Sequence, residues 1–291
     1  MIHYLKRDAF SGHLRAPASK GISPILRAKI RINGESERCY LKPLTDFIAC
    51  PDTGKPVVNQ EIVSEALGYV LASTCGLSTP SIAGIIALGK DQLPQDLLSE
   101  LEEIGGSIQP SYLCWFSKDM EHPNLKQRHL SGINLPSLEE RRLRRLAQFL
   151  AKHADAAKIV AFDDWLLNSD RNMGNILQAS LGALMLIDHG RILAYPNWTP
   201  GSVGSMPWRA QNVLESFINR FTPRWSELLP ISSGKLMALN SYASSYRSAG
   251  AIASKSVLSN FFEPTDVEAI IALIDGRLDP APYAKAAGLM L

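Results

Sequence analysis

Apolar positions in the first part of the chain alternate before they adopt helical spacing. Pro24-Ile25-Leu26-Arg27-Ala28-Lys29-Ile30-Arg31-Ile32 alternates in part, Asn33-Gly34 marks a tight turn, and Cys39-Tyr40-Leu41-Lys42-Pro43 resumes an extended pattern. Pro43 biases Lys42 away from helical dihedrals, which places a strand end there. Residues 44–58, with Pro51, Asp52, Gly54 and Pro56, read as a loop. The spacing then predicts a helix from Asn59 to Cys75. Ile62, Ala66, Tyr69 and Val70 recur along one face, Asn59 can cap it, and Gly76 ends it. Pro80 opens an extended segment through Ile85-Ile86-Ala87-Leu88. The N-terminal part is therefore a small sheet with one prominent helix.

Gly105-Gly106 breaks the pattern, and Ser111-Tyr112-Leu113-Cys114-Trp115-Phe116 reads as a strand. Ser137 and Glu140 have the spacing of a capping box, and Leu138, Leu143, Leu146, Phe149 and Leu150 line the helix behind them. A further helix covers residues 155–167, with Ile159, Phe162, Trp165 and Leu166 facing inward. Past residue 190 the chain is rich in Trp, Pro, Ser and Gly. Helices follow near 208–218 and 233–246. Pro264, Val267, Ile270, Ile271 and Ile274 predict a terminal helix that Gly276 ends. The expected fold class is α+β in two lobes, a small sheet-containing lobe over 1–110 and a mostly helical lobe over 111–291.

Composition narrows the function classes. The chain has 291 residues, 46% of them hydrophobic, which supplies a substantial core, and its formal net charge is only +2. Nothing in that balance demands a nucleic-acid partner. The basic run Arg141, Arg142, Arg144, Arg145 is interrupted by Leu143 and Leu146. It reads first as a solvated helix face and second as a phosphate or partner contact. Cys39, Cys50, Cys75 and Cys114 form no Cys-x-x-Cys pair and are expected to be reduced. The N-terminus lacks a signal-peptide core, and no apolar run approaches the roughly 20 residues of a spanning helix. A soluble, cytoplasmic protein without a membrane partner is expected.

The candidate chemistry lies between residues 162 and 190. Asp170 and Asn175 stand five apart with Gly174 between them, and Asp188 ends the apolar run Leu184-Met185-Leu186-Ile187 ahead of His189-Gly190. A carboxylate that orients a hydroxyl, followed by an amide oxygen and a second carboxylate suited to magnesium, is the layout of a phosphoryl-transfer site. Arg171 either braces this loop through a carboxylate or lies on the surface. Asp163 or Asp164 can anchor it, and His189 is expected to make a structural hydrogen bond. Lys42, in an apolar strand, needs a partner if buried, and Glu61 or Glu65 on one helical face can supply it. Ser19-Lys20-Gly21-Ile22-Ser23-Pro24 can form a short loop over phosphates, though it is no Walker A motif. The chain has neither His-Glu-x-x-His nor Gly-x-Ser-x-Gly, so zinc-protease and acyl-transfer chemistry have no sequence support.

These residues resemble the HipA-like serine/threonine kinases. The likeness is best in Asn168-Ser169-Asp170-Arg171-Asn172-Met173-Gly174-Asn175-Ile176, where the family shows Asn-x-Asp-Arg-His-x-x-Asn and Asn172 stands in place of the His. Leu186-Ile187-Asp188-His189-Gly190 resembles the family's second metal-ligand segment. The resemblance implies a two-lobed kinase fold, ATP and Mg2+ as cofactors, Asp170 as catalytic carboxylate, and Asn175 and Asp188 as metal ligands. It makes Lys42 the nucleotide-gripping lysine and Glu65, favoured over Glu61, its helix partner. Gly21 and Ser23 would lie in the phosphate loop, Ser23 as a possible autophosphorylation site. A protein substrate, translation-related in some family members, and a small antitoxin or other regulatory partner are implied as well. The alternatives are a kinase for a small molecule or lipid head group, and a kinase-like module that binds nucleotide without transfer. The likeness covers most of 20–190 and thins in the C-terminal third.

Overall fold

The computed structural model describes residues 2–15, 23–50, 53–132, 135–195 and 198–288. Met1–Ala66 with Pro80–Glu121 make up one compact unit, and Leu67–Thr79 with His122–Leu291 a second. The first is built on a sheet and the second is mostly helical, so the chain is α+β as expected.

The first unit contains strands β1 (His3–Leu5), β2 (Phe10–His13), β3 (Leu26–Ile32), β4 (Glu35–Leu44), β5 (Phe47–Ala49), β6 (Pro56–Val58), β7 (Ala83–Gly89) and β8 (Ser111–Lys118). Six of them form one sheet in the order β1-β7-β8-β4-β3-β2. That order puts β1 and β2 on opposite edges although only the residues between Leu5 and Phe10 join them. Six flat strands would separate the edges by about 24 Å, whereas five extended residues span at most about 18 Å. The sheet must therefore curl. At the β3–β4 turn, Asn33 and Gly34 both have positive φ (52° and 86°), the backbone that a two-residue hairpin requires and that this pair supplies.

One face of the sheet carries Leu26, Ala28, Ile30 and Ile32 of β3, Cys39 and Leu41 of β4, Ile86 and Leu88 of β7, and Tyr112, Cys114 and Phe116 of β8. Helix α1 (Glu61–Thr74) follows β6, and α2 (Gln95–Gly105) closes this face with Leu97, Leu98 and Leu101. Strand alternation turns Lys42 to the opposite face from Leu41. Pro43 is tolerated in a central strand because the β3–β4 pairing ends at Leu26↔Leu41, so no ladder bond is lost on that side.

The structure corrects several sequence expectations here. Residues 44–58 are not all loop: Phe47–Ala49 pairs with Pro56–Val58 as a small hairpin. Strands β1 and β2 carry no clear pattern of their own and form by pairing with the rest of the sheet, whereas α2, not expected from the sequence, does show helical spacing in Leu97, Leu98 and Leu101. The predicted strand over 111–116 extends to Lys118, and the helix expected from Asn59 begins at Glu61, whose N–H donates to Asn59 Oδ1 at 3.0 Å.

The second unit contains α3 (Leu125–Leu130), α4 (Pro136–Lys152), α5 (Ala156–Trp165), the hairpin β9 (Ile176–Gln178) and β10 (Leu184–Leu186), α6 (Val213–Phe221), α7 (Leu229–Ser245), α8 (Ala251–Leu258), α9 (Pro264–Gly276) and α10 (Pro280–Ala287). Helix α5 is buried on nearly every side, as an all-round apolar helix should be. Phe162 and Trp165 pack on Tyr242 of α7, and the Trp165 indole N–H donates to Ile274 O of α9. The expected capping box at Ser137 and Glu140 is absent. Helix α4 starts at Pro136, whose fixed φ and missing N–H suit the first helical position. The reciprocal box is formed instead by Asn124 and Gln127 at the start of α3. The helix ending at Gly276 is not terminal, because α10 follows it.

Cys39, Cys50 and Cys114 are buried, Cys75 is half-buried, and all four are free thiols. Burial pushes the Cys39 and Cys75 thiols up to about 12, so they remain protonated. Among the described residues, no helix is long and apolar enough to cross a membrane.

Candidate active site

In the first unit, Lys42 is 7% exposed and its Nζ lies 2.5 Å from Glu61 Oε1 and 3.1 Å from Glu65 Oε1. The choice between the two glutamates is thus not exclusive. One turn of α1 separates them, and both carboxylates reach the same ammonium. Charge-assisted bonds of this kind hold the buried side chain in a fixed position. Ser23 is half-buried in a bend ahead of β3. Gly21 lies outside the described residues.

In the second unit, α5 ends in a turn through Leu167, which adopts φ +54°. Asn168 then secures the loop in both directions. Its Nδ2 donates to Asp163 Oδ1 at 3.0 Å and its Oδ1 accepts from the Asp170 N–H at 3.0 Å. The carbonyl of Asp170 accepts from the Asn172 N–H at 2.7 Å and from Asn175 Nδ2 at 2.8 Å. Asn175 therefore points its amide nitrogen back into the loop and keeps its oxygen as the acceptor end. Asn172, where the family shows His, donates to Asp170 Oδ1 and accepts the Gly174 N–H. The Asp170 carboxylate is about one-third exposed and lies 3.6 Å from Arg191 Nε.

The centre of this arrangement is Arg171, which is fully buried. Its Nε is 3.2 Å from both oxygens of Asp163, and its Nη1 lies within 3.4 Å of the carbonyls of Asn175, Ile187 and Asp188. Its Nη2 is 3.1 Å from His189 Nδ1. A guanidinium only donates, so that ring nitrogen accepts and the ring proton sits on Nε2. Burial, reinforced by the Arg171 charge, holds the His189 pKa well below its ordinary value and keeps the ring neutral. Asp188 adopts φ +57°, which turns the chain at the end of β10. One guanidinium thus ties the Asp170–Asn175 loop to the segment bearing Asp188.

Three further residues support this centre. Gly68 of α1 lies against His189 so closely that a Cβ there would collide with the His189 Cβ and Cγ. Asp164, next to Asp163, accepts from Asn212 Nδ2 at 3.0 Å and the Tyr283 hydroxyl at 3.1 Å. Arg277 donates to the carbonyls of Asp164 and Trp165 at the end of α5. The two adjacent aspartates thus hold opposite sides, Asp163 the loop and Asp164 the C-terminal helices. Both aspartates accept from side chains, Asp163 from Asn168 and Arg171 and Asp164 from Asn212 and Tyr283. Arg191 and Gly68 were not singled out in the sequence. The only signal for Arg191 was its position just after Asp188-His189-Gly190, and Gly68 showed only as a glycine inside a helical pattern.

No protein-family model matches the chain, and no curated protein does. Among solved structures, a MAP kinase, LmaMPK10 from Leishmania major, is similar over 95% of this chain and 84% of its own, at 12% identity and a TM-score of 0.30. A likeness that weak decides neither fold nor activity.

Proposed function

We propose that the protein is an ATP- and Mg2+-dependent phosphotransferase of HipA-like type acting on a serine or threonine of a protein. The observation that supports this reading is the Arg171 hub, which ties the loop of Asp170 and Asn175 to the segment bearing Asp188 through backbone carbonyls. An amide oxygen and carboxylate oxygens are hard donors of the kind magnesium takes. Asn175 and Asp188 would hold the ion, which supplies charge neutralisation on the phosphates when bound. Asp170 orients the acceptor hydroxyl and receives its proton as that oxygen bonds to the γ-phosphorus and the bond to the β,γ-bridging oxygen breaks, releasing ADP. Lys42, fixed by Glu61 and Glu65, offsets phosphate charge. Autophosphorylation at Ser23, a translation-related substrate and an antitoxin partner extend the same reading by resemblance.

The test is incubation with γ-labelled ATP, magnesium and cytosolic extract, for the native chain and for Asp170→Asn. Label should appear on this chain or on an extract protein, and Asp170→Asn should lose transfer while still binding nucleotide. Transfer by Asp170→Asn at the native rate would reject the role of Asp170. Nucleotide binding by the native chain with no label anywhere would favour a binding module, and label confined to lipid or small molecules would change the acceptor.

A further inference from the structure

From Arg141 to Lys152, helix α4 carries five cations and no carboxylate, in a chain whose formal net charge is only +2. The core side of the helix is Leu146, Ala147 and Leu150. The outward side exposes Arg141, Arg144, Arg145, Gln148 and Lys152. Arg141 stands three and four residues before Arg144 and Arg145, spacings at which like charges destabilise a helix. A solvated face needs no such arrangement, since alternating Glu and Arg would solvate it equally and stabilise it. The near-neutral whole-chain sum therefore conceals a local cationic ridge about 16 Å long.

The flank of the ridge adds aromatic surface. Phe217 and Phe221 of α6 are half-buried and meet edge to face at 5.6 Å. The guanidinium groups of Arg144 and Arg220 lie over the Phe221 ring at 5.9 and 4.8 Å from its centre. Glu140 pairs with Arg220 at 3.1 Å, but Arg144 has no carboxylate on this ridge. Planar guanidinium groups backed by rings stack on bases and fork to phosphates.

We infer that the outward face of α4, with the adjoining edge of α6, binds the phosphate backbone of single-stranded nucleic acid. An acidic peptide would meet the charge but make no use of the stacking surface. An anionic bilayer would need large apolar side chains along the ridge, and the exposed positions from Arg141 to Lys152 supply none. This inference stands apart from the phosphotransferase reading, because none of these residues belongs to the Arg171 or Lys42 assemblies.

The experiment is fluorescence anisotropy of the full chain with a labelled single-stranded oligonucleotide of about 20 nucleotides, titrated across salt concentration. With about three phosphates engaged, log affinity should fall against log salt with a slope of about −2. The triple variant Arg141→Gln, Arg145→Gln, Lys152→Gln should bind at least about tenfold more weakly and flatten that slope. The control Lys29→Gln, Lys55→Gln, Lys90→Gln removes the same charge from the first unit and should bind as the native chain does. Equal losses in the two triples would show overall charge rather than a surface and overturn the proposal. So would tighter binding to polyglutamate or to phosphatidylserine vesicles than to the oligonucleotide, or no binding at low salt.

Discussion

Arg171 follows Asp163 by eight residues, and the two meet as an ion pair with neither side chain exposed to solvent. Burial pushes the Asp163 carboxyl up to about 6, and the Arg171 charge opposes that rise. Removing one partner leaves the other charge stranded in the interior. Asp163→Asn and Arg171→Met should each lower unfolding free energy by about 3–5 kcal/mol, and the double variant should lose less than the sum. Urea unfolding of the three variants measures this. Losses below about 1 kcal/mol for either single change would reject the pair as the support of the loop.

Gly68 should resist substitution although it lies within a helix. Alanine there gains about 1 kcal/mol of helix propensity but drives its Cβ into His189. The net loss should be about 1–3 kcal/mol. Gly276 is the contrast: it closes α9 with open space around its Cα, so Gly276→Ala should be neutral or stabilising. Thermal unfolding of both variants decides the matter, and a stabilised Gly68→Ala would mean the close approach to His189 is not rigid.

Glu215 predicts a pH dependence. Burial raises its pKa, but Lys235 and Arg209 outweigh that and leave the net value below the ordinary one. Its Oε2 is 3.1 Å from the buried Lys235 and its Oε1 is 2.6 Å from Arg209. A depressed carboxyl contributes stability above its unfolded pKa and loses it as pH falls through the folded value. The native chain should therefore lose stability from this group below about pH 4.3. Glu215→Gln should be destabilised by about 3–5 kcal/mol at neutral pH and should lack that share of the acid loss. Urea midpoints across the acid range for both proteins make the comparison.

Glu61 and Glu65 both reach the Lys42 ammonium, so single and double removals should not add. Glu61→Gln and Glu65→Gln each leave one carboxylate on the ammonium and should lose about 1 kcal/mol. The double variant takes both α1 carboxylates from the buried ammonium and should lose more than the sum of the two single losses. Chemical denaturation of the three variants gives the coupling energy. An additive result would mean that one glutamate alone holds the lysine.

What was readable in the sequence is what local chemistry decides. The β3–β4 hairpin announced itself through Asn33-Gly34, and α1 through Asn59 and its apolar spacing. The run ending at Asp188 was visible as a strand because Leu184, Met185 and Leu186 are all apolar and buried. The Arg171 hub was readable only in part: a brace to a carboxylate was one of two readings of Arg171, whereas its bonds to the carbonyls of Asn175, Ile187 and Asp188 depend on chain reversals at Leu167 and Asp188, two residues in left-handed conformations that no glycine marks. Likewise β1 and β2 are too short to show alternation and exist only through their distant partners β7 and β3. The opening of α4 misled because Pro136 serves where a side-chain cap was expected.

Both borders of the curled sheet are supplied by the first thirteen residues, β1 sealing β7 and β2 sealing β3. A cut after His13 would replace edge strands of 3 and 4 residues by the 7-residue rims of β7 and β3, longer templates on which another chain can pair. The opening residues thus keep both rims of the sheet short.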